Sequence, residues 1–72
     1  MRATVLVTAA GGPGAVNMTR SLQLAGDLRT VGCDASPHYV HLAITEEKAI
    51  VPRCSDREGY LRAINTLCER WS

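Results

Sequence analysis

The sequence predicts an α/β protein in which a parallel sheet of about three strands, in the order 3-2-1, has flanking helices. Two observations lead to this prediction. Apolar and β-branched runs at residues 4–10 and 29–33 have the character of strands buried on both faces. A glycine-rich turn and a segment with helical periodicity separate them, so that strand, turn, helix and strand form a βαβ unit of about 30 residues with a right-handed crossover.

The first strand is expected at Ala3–Thr8 and the first helix at residues 14–25. Gly26 is well placed to end that helix, because glycine readily adopts the left-handed conformation found after a helix C-terminus. Apolar residues recur in the helix at three- and four-residue spacing, which predicts a face that packs on the sheet. This face contains Ala15, Met18, Leu22 and Ala25.

The second strand is expected at residues 29–33. Residues 35–48 have no clean periodicity. Ser36 precedes a proline and predicts a turn, which a short helical or irregular segment is expected to follow. A very short third strand is expected at residues 49–51.

The last helix is predicted to begin with a capping box, in which the Ser55 hydroxyl and the Glu58 carboxylate each accept a hydrogen bond from the first turn. One apolar stripe is expected to pack on the sheet. It contains Tyr60, Leu61, Ile64, Leu67, Cys68 and Trp71. Because an alternating β/α fold continues with another strand, we expect the chain to be a fragment of a longer protein, truncated before the fourth strand.

The edge of the first strand is a candidate surface for association. In a doubly wound sheet the fourth strand lies beside the first. Without it, the first and most hydrophobic strand presents an unpaired edge, which invites pairing with another chain. We therefore hypothesise homo-association through the exposed edge of the first strand.

Charge and cysteine content argue against several classes of protein. Eight Lys plus Arg against seven Asp plus Glu give a net charge of +1 without blocks of either sign, so neither nucleic acid nor a membrane is an expected partner. No apolar run is long enough to span a bilayer and no signal-peptide cleavage site is evident, which predicts a cytoplasmic protein. Cys33, Cys54 and Cys68 include no C-x-x-C pair, so we expect small buried residues rather than disulfides or a zinc site.

The candidate ligand site is the turn after the first strand, formed by Gly11, Gly12, Pro13, Gly14 and Ala15. Glycine allows positive φ and close approach of a ligand to the backbone. The N-terminus of the following helix favours an anion, such as a phosphate or a carboxylate. The alternative is that the glycines only form a tight turn between strand and helix.

A dinucleotide-binding motif is only partly matched. The pattern that starts at Gly12 and Gly14 has Asn17 where a third glycine is required. Asp34, about 20 residues after Gly12, has the position of the acidic residue that binds ribose in dinucleotide-binding proteins. Asp34 also fits a turn, so the sequence leaves both roles open.

No catalytic residue and no metal site are assigned. His38 and His41 have a spacing that metal sites use, but no Cys, Asp or Glu is placed locally to complete a ligand set, so partly exposed histidines are expected. Cys33 lies near the expected cleft without an identifiable base beside it, which gives no ground for a nucleophilic role.

Five short segments together point to a family. They are VLVTAAGGPG at residues 5–14, RSL at 20–22, VGCD at 31–34, VPR at 51–53 and YL at 60–61. These segments resemble the amino-terminal domain of ATP-grasp ligases, and the likeness is closest to the carbamoyl phosphate synthetase large-chain-like members. The resemblance implies that residues 1–72 form a pre-ATP-grasp domain with a Rossmann-like sheet, which precedes the two lobes that bind ATP and magnesium.

The resemblance also implies a function. Members of this family use ATP to activate a carboxylate as an acyl phosphate, which a nucleophile then attacks. By analogy Gly11, Gly12 and Gly14 would lie on the substrate side of the active-site cleft, while residues that bind ATP and magnesium belong to later lobes of the parent chain. The expected partners are a small-molecule carboxylate and those lobes. This chain alone is expected to be inactive and to bind neither ATP nor magnesium tightly.

Two alternatives remain open. The chain would be an NAD(P)-binding fragment of an oxidoreductase if the glycine turn and Asp34 bound a dinucleotide. It would be a non-catalytic interaction module if it docked through the exposed strand edge or through the end near Trp71.

Overall fold

The computed structural model describes residues 3–71 and confirms the predicted α/β fold. Its elements are β1 (Ala3–Thr8), α1 (Pro13–Ala25), β2 (Leu28–Asp34), α2 (Pro37–Val40), β3 (Glu47–Ile50) and α3 (Arg57–Trp71). The strands are parallel in the order β1-β2-β3, which gives the same neighbours as the predicted order 3-2-1. Residues 1, 2 and 72 of the expected domain lie outside the described part. No helix in the described part is long and apolar enough to cross a membrane.

One face of the sheet packs against α1. Its apolar cluster contains Val5, Val7, Ala10, Ala15, Leu22 and Ala43. Thr19 is also fully buried, and its hydroxyl donates to the Ala15 carbonyl at 2.7 Å. The predicted helix face is wrong at Met18 and Ala25, which are both exposed. Thr19 takes a buried position instead, because a hydroxyl that bonds to the preceding helical turn leaves no unsatisfied polar atom.

The other face packs against α3. Its apolar cluster contains Leu6, Cys33, Ala49, Val51, Tyr60, Ala63, Ile64, Leu67 and Trp71. The predicted stripe is wrong at Leu61 and Cys68, which are exposed because they lie one residue further around the helix than the packed positions. The Arg29 guanidinium lies 5.8 Å from the centre of the Trp71 ring, a cation–π contact between β2 and the end of α3.

Local chemistry sets the ends of the two long helices. Gly26 has a φ of 74° and ends α1 as predicted. At the start of α3, the Asp56 carboxylate accepts the Gly59 N–H at 3.1 Å and the Asp56 carbonyl accepts the Tyr60 N–H at 2.8 Å. The predicted capping box at Ser55 is therefore wrong by one residue. Asp caps a helix as well as Ser does, so spacing alone does not decide between the two neighbours.

Buried threonines position the chain before β3. The Thr30 hydroxyl accepts the Glu46 N–H at 3.1 Å, and the Thr45 hydroxyl donates to the Glu47 carbonyl at 2.7 Å. These bonds bring the chain beside β2 at Glu47, so β3 begins earlier than predicted. Val51 lies beyond the end of β3 but is buried in the core.

Candidate functional site

The carboxyl ends of the three strands lie along one edge of the sheet, where open α/β proteins bind their ligands. The connections that start there are the glycine turn (residues 9–15), the Asp34 turn (residues 34–36) and the Arg53 loop (residues 51–55). The Ala10 N–H donates to the Cys33 carbonyl at 3.1 Å, which continues the pairing of β1 with β2 into the glycine turn.

Gly11 is required because a side chain would not fit at this position, not because its backbone has a positive φ. Within this turn the residue with positive φ is Ala9, at 49°, so the conformational freedom of Gly11, Gly12 and Gly14 is not used for positive φ. The left-handed step occurs at the end of β1, before the glycines. A Cβ on Gly11 would overlap the Tyr39 carbonyl oxygen and lie 2.9 Å from the Tyr39 Cα. Gly11 therefore permits close contact between the turn and α2, whereas a Cβ on Gly14 would meet nothing within 4 Å.

The first turn of α1 offers backbone N–H groups. Pro13 occupies the first helical position and has no N–H, and the Val16 N–H donates to the Gly12 carbonyl at 2.9 Å. The N–H groups of Gly14 and Ala15 have no acceptor within the helix, and Gly12 provides no side chain to cap them. Together with the helix dipole, these two groups favour an anion.

Asp34 joins the glycine turn to its own turn. Its carboxylate accepts the Gly11 N–H at 3.3 Å through one oxygen and the Ser36 N–H at 3.1 Å through the other. Gly11 therefore does not offer a free N–H to a ligand. Asp34, the last residue of β2, thus stabilises the turn that follows it, while contact with a ribose stays a hypothesis.

A cavity of about 500 Å³ lies between the Asp34 turn and the Arg53 loop, and Arg53 is the cationic residue in its lining. Asp34, Ser36, Tyr39 and Ser55 also line this cavity. Within residues 3–71 the Arg53 guanidinium has no carboxylate partner. A guanidinium without a partner can present its planar fork to a carboxylate or a phosphate.

The sequence analysis did not single out Arg53 as a ligand-binding residue. Its position in the sequence could have indicated this role. Arg53 directly follows the proline at the end of a predicted parallel strand, where ligand-binding side chains concentrate. What the sequence could not give was its place beside the Asp34 turn, because this depends on the register between β2 and β3.

A smaller cavity of about 190 Å³ lies beside the first and is lined by Thr8, Cys33, Cys54 and Tyr60 among others. Burial, reinforced by the nearby Asp34 carboxylate and the other thiols, raises the pKa of Cys33 to about 11. Burial, followed by the proximity of Cys54 and Cys33, also raises the pKa of the Tyr60 hydroxyl.

The three cysteines differ in accessibility. Cys33 is buried as predicted, but the same prediction is wrong for Cys54 and Cys68, which are exposed. We expect iodoacetamide at pH 8 to modify Cys54 and Cys68 in the folded protein and to reach Cys33 only after denaturation. Peptide mass spectrometry checks this, and rapid labelling of Cys33 in the folded state would contradict the packing described here.

The raised pKa of Cys33 also predicts a pH dependence of stability. The thiol is neutral in both states below about pH 9, so its contribution is fully present there. As the pH rises towards about 11, the unfolded chain releases the Cys33 proton while the folded chain retains it, so the free energy of unfolding falls. Urea unfolding of wild type and Cys33→Ala between pH 8 and pH 11 measures this, and equal pH dependence of the two proteins would contradict it.

The two histidines are exposed, as expected. His38 stacks edge-to-face with Tyr39 at a centroid distance of 5.4 Å, and His41 follows α2. In the described part of the chain, no group of three or more His, Cys, Asp or Glu side chains could hold a metal ion. A further cavity of about 530 Å³, between β3 and α3, contains no residue of the glycine turn or the Asp34 turn.

Comparisons with known proteins returned no match. No family model, no curated protein and no solved structure was found to be similar to this chain.

Proposed function

We propose that this chain is the substrate-side, pre-ATP-grasp domain of an ATP-dependent carboxylate ligase that works through an acyl phosphate and is carbamoyl phosphate synthetase-like. The observation that carries the proposal is a pair of features that favour an anion, both at the carboxyl ends of the strands. Arg53 supplies a guanidinium without a carboxylate partner in residues 3–71. Gly14 and Ala15 supply helix N-terminal N–H groups on the connection that follows β1, with the Asp34 turn between it and the Arg53 loop.

The two features suit the two anions of such a reaction. The planar fork of Arg53 matches a carboxylate, and N–H groups at a helix N-terminus match phosphate oxygens. In the proposed parent enzyme, ATP and magnesium bind to the ATP-grasp lobes and supply the phosphoryl group. The role proposed for this chain, in the cytoplasm, is to bind and orient the carboxylate.

An NAD(P)-binding function is less well supported. The Asp34 carboxylate, which would bind the ribose, already accepts N–H groups from Gly11 and Ser36. Asn17 occupies the third glycine position of the dinucleotide motif. Both observations favour the ligase over the oxidoreductase.

Titration with acetate and with inorganic phosphate tests the proposal. In amide NMR spectra, we expect both anions to shift residues of the Arg53 loop and the first turn of α1. Arg53→Gln should weaken acetate binding about 10- to 100-fold, the value of a charge-assisted hydrogen bond. Arg20→Gln, an exposed arginine on α1, is the matched control and should bind as wild type does. Binding that is equally strong in the Arg53 variant would contradict the proposed carboxylate site.

We also propose that two copies associate through β1. This strand pairs only with β2 in the described part, and Ala3–Thr8 carries no charged residue to block an edge. Val5 and Leu6 belong to the two opposite cores and are only half-buried, so a second copy would cover both. The other edge strand, β3, carries Glu47 and Lys48.

Sedimentation velocity tests the association. We expect a concentration-dependent dimer for wild type and a monomer for Thr4→Lys, since an edge lysine opposes strand pairing. Glu47→Lys on β3 is the control and should leave the dimer intact. A wild-type monomer at millimolar concentration would contradict the proposal.

A further inference from the structure

An apolar groove of about 400 Å³ lies next to the Arg53 cavity, and Tyr39 lines both. On the groove side Tyr39 is joined by Pro13, Val16 and Leu42. Tyr39 is 49% exposed and Leu42 is 51% exposed. The groove has no charged side chain in its lining, whereas the Arg53 cavity is lined by Arg53 and by Asp34, whose carboxylate already accepts the Gly11 and Ser36 N–H groups.

The position of Tyr39 is fixed by its main chain. The Tyr39 N–H donates to the Ser36 hydroxyl at 3.3 Å, and its carbonyl accepts the Leu42 N–H at 2.9 Å. The same carbonyl lies against the backbone of Gly11, where even a Cβ would not fit. The main chain of Tyr39, between the two cavities, is therefore held by the packing of α2 against the glycine turn.

An exposed apolar groove next to a charged side chain is typical of a ligand-binding site. Ligand sites combine apolar walls with a few well-placed polar groups that set orientation. The walls contributed by Val16 and Leu42 supply the first property, and the Arg53 guanidinium across Tyr39 supplies the second. A small inorganic anion would contact the Arg53 guanidinium and the N–H groups of α1 but would leave the side chains of Val16 and Leu42 in contact with water.

We infer that the site takes carboxylates with an apolar tail, whose carboxylate binds Arg53 while a phenyl or medium-length alkyl group crosses Tyr39 into the groove. The inference rests on the proposed function and narrows it to a substrate class. Each methylene that is fully removed from water strengthens binding about fourfold. Even partial burial in an open groove should make a phenyl-bearing acid bind about tenfold more tightly than acetate.

The test compares 3-phenylpropanoate with acetate by amide NMR titration of the 72-residue chain. We expect 3-phenylpropanoate to bind about tenfold more tightly and to shift residues 39–42 in addition to the Arg53 loop and the first turn of α1, which acetate also shifts. Leu42→Gln should remove most of that advantage without affecting acetate. Leu24→Gln, on an 83% exposed leucine of α1, is the matched control and should bind as wild type does.

The outcomes separate the two proposals. If both acids shift the Arg53 loop equally and residues 39–42 do not respond, the apolar-tail inference is overturned and the carboxylate site stands. If neither acid shifts the Arg53 loop, the proposed function fails and the inference fails with it. If 3-phenylpropanoate binds as tightly to Arg53→Gln as to wild type, its phenyl group binds without a contribution from the carboxylate, which also overturns the inference.

Discussion

Gly11→Ala is expected to lower the free energy of unfolding by about 3 kcal/mol or more, the upper range for overpacking a close-packed site. The added Cβ would overlap the Tyr39 carbonyl oxygen and lie 2.9 Å from the Tyr39 Cα. Both are main-chain atoms, so no side-chain rotation relieves the overlap. Domains of this size have a total stability of about 5 kcal/mol, and a loss of this magnitude should leave a large unfolded fraction at 37 °C.

Gly14→Ala is the matched control for this prediction. An added Cβ at Gly14 meets nothing within 4 Å, and alanine in the first turn of a helix loses less conformational entropy on folding than glycine does. Thermal and urea unfolding followed by circular dichroism should show Gly14→Ala to be as stable as wild type or slightly more so. Equal stability of the Gly11 and Gly14 variants would show that the turn does not pack on α2 as described.

Asp34→Ala is expected to cost about 2–4 kcal/mol of unfolding free energy, because it removes two hydrogen bonds to a charged acceptor. The Gly11 N–H, on a buried residue, would lose its partner, and the Ser36 N–H would lose its own. The glycine turn and the Asp34 turn would no longer be joined.

Asp34→Asn serves as its control. Asparagine retains one acceptor oxygen and can keep one of the two hydrogen bonds, so the loss of stability should be about half as large. Urea unfolding of the three proteins under the same conditions measures the difference. If Asp34→Ala is as stable as wild type, the carboxylate does not join the turns in solution.

Much of the fold could be predicted because local signals agreed with one another. The strand at Ala3–Thr8 has the predicted bounds, and Gly26 ends α1 where its backbone freedom indicated. The errors occur where two local solutions are nearly equal. Asp56 and Ser55 are both good N-caps, and Thr19 replaces Met18 on the buried face of α1 because its hydroxyl is satisfied within the helix.

The candidate site was less predictable than the fold. The glycine turn and Asp34 could be located from their spacing, but the reason for Gly11 could not, because the obstacle is the main chain of Tyr39, distant in sequence. Arg53 and the groove beyond Tyr39 likewise depend on how three connections meet at one sheet edge. Which residues of different connections come together depends on strand register, so no single segment of the sequence predicts it.

The most direct test of the carboxylate-ligase account is a parallel amide NMR titration of the chain with inorganic phosphate, ATP–magnesium, NAD(H) and NADP(H). The account predicts that phosphate shifts the first turn of α1 and the Arg53 loop, and that the dinucleotides add no specific response at Asp34. Saturable shifts at both Gly12 and Asp34 with a dinucleotide, and none with phosphate, would contradict it and identify a cofactor-binding domain of an oxidoreductase instead.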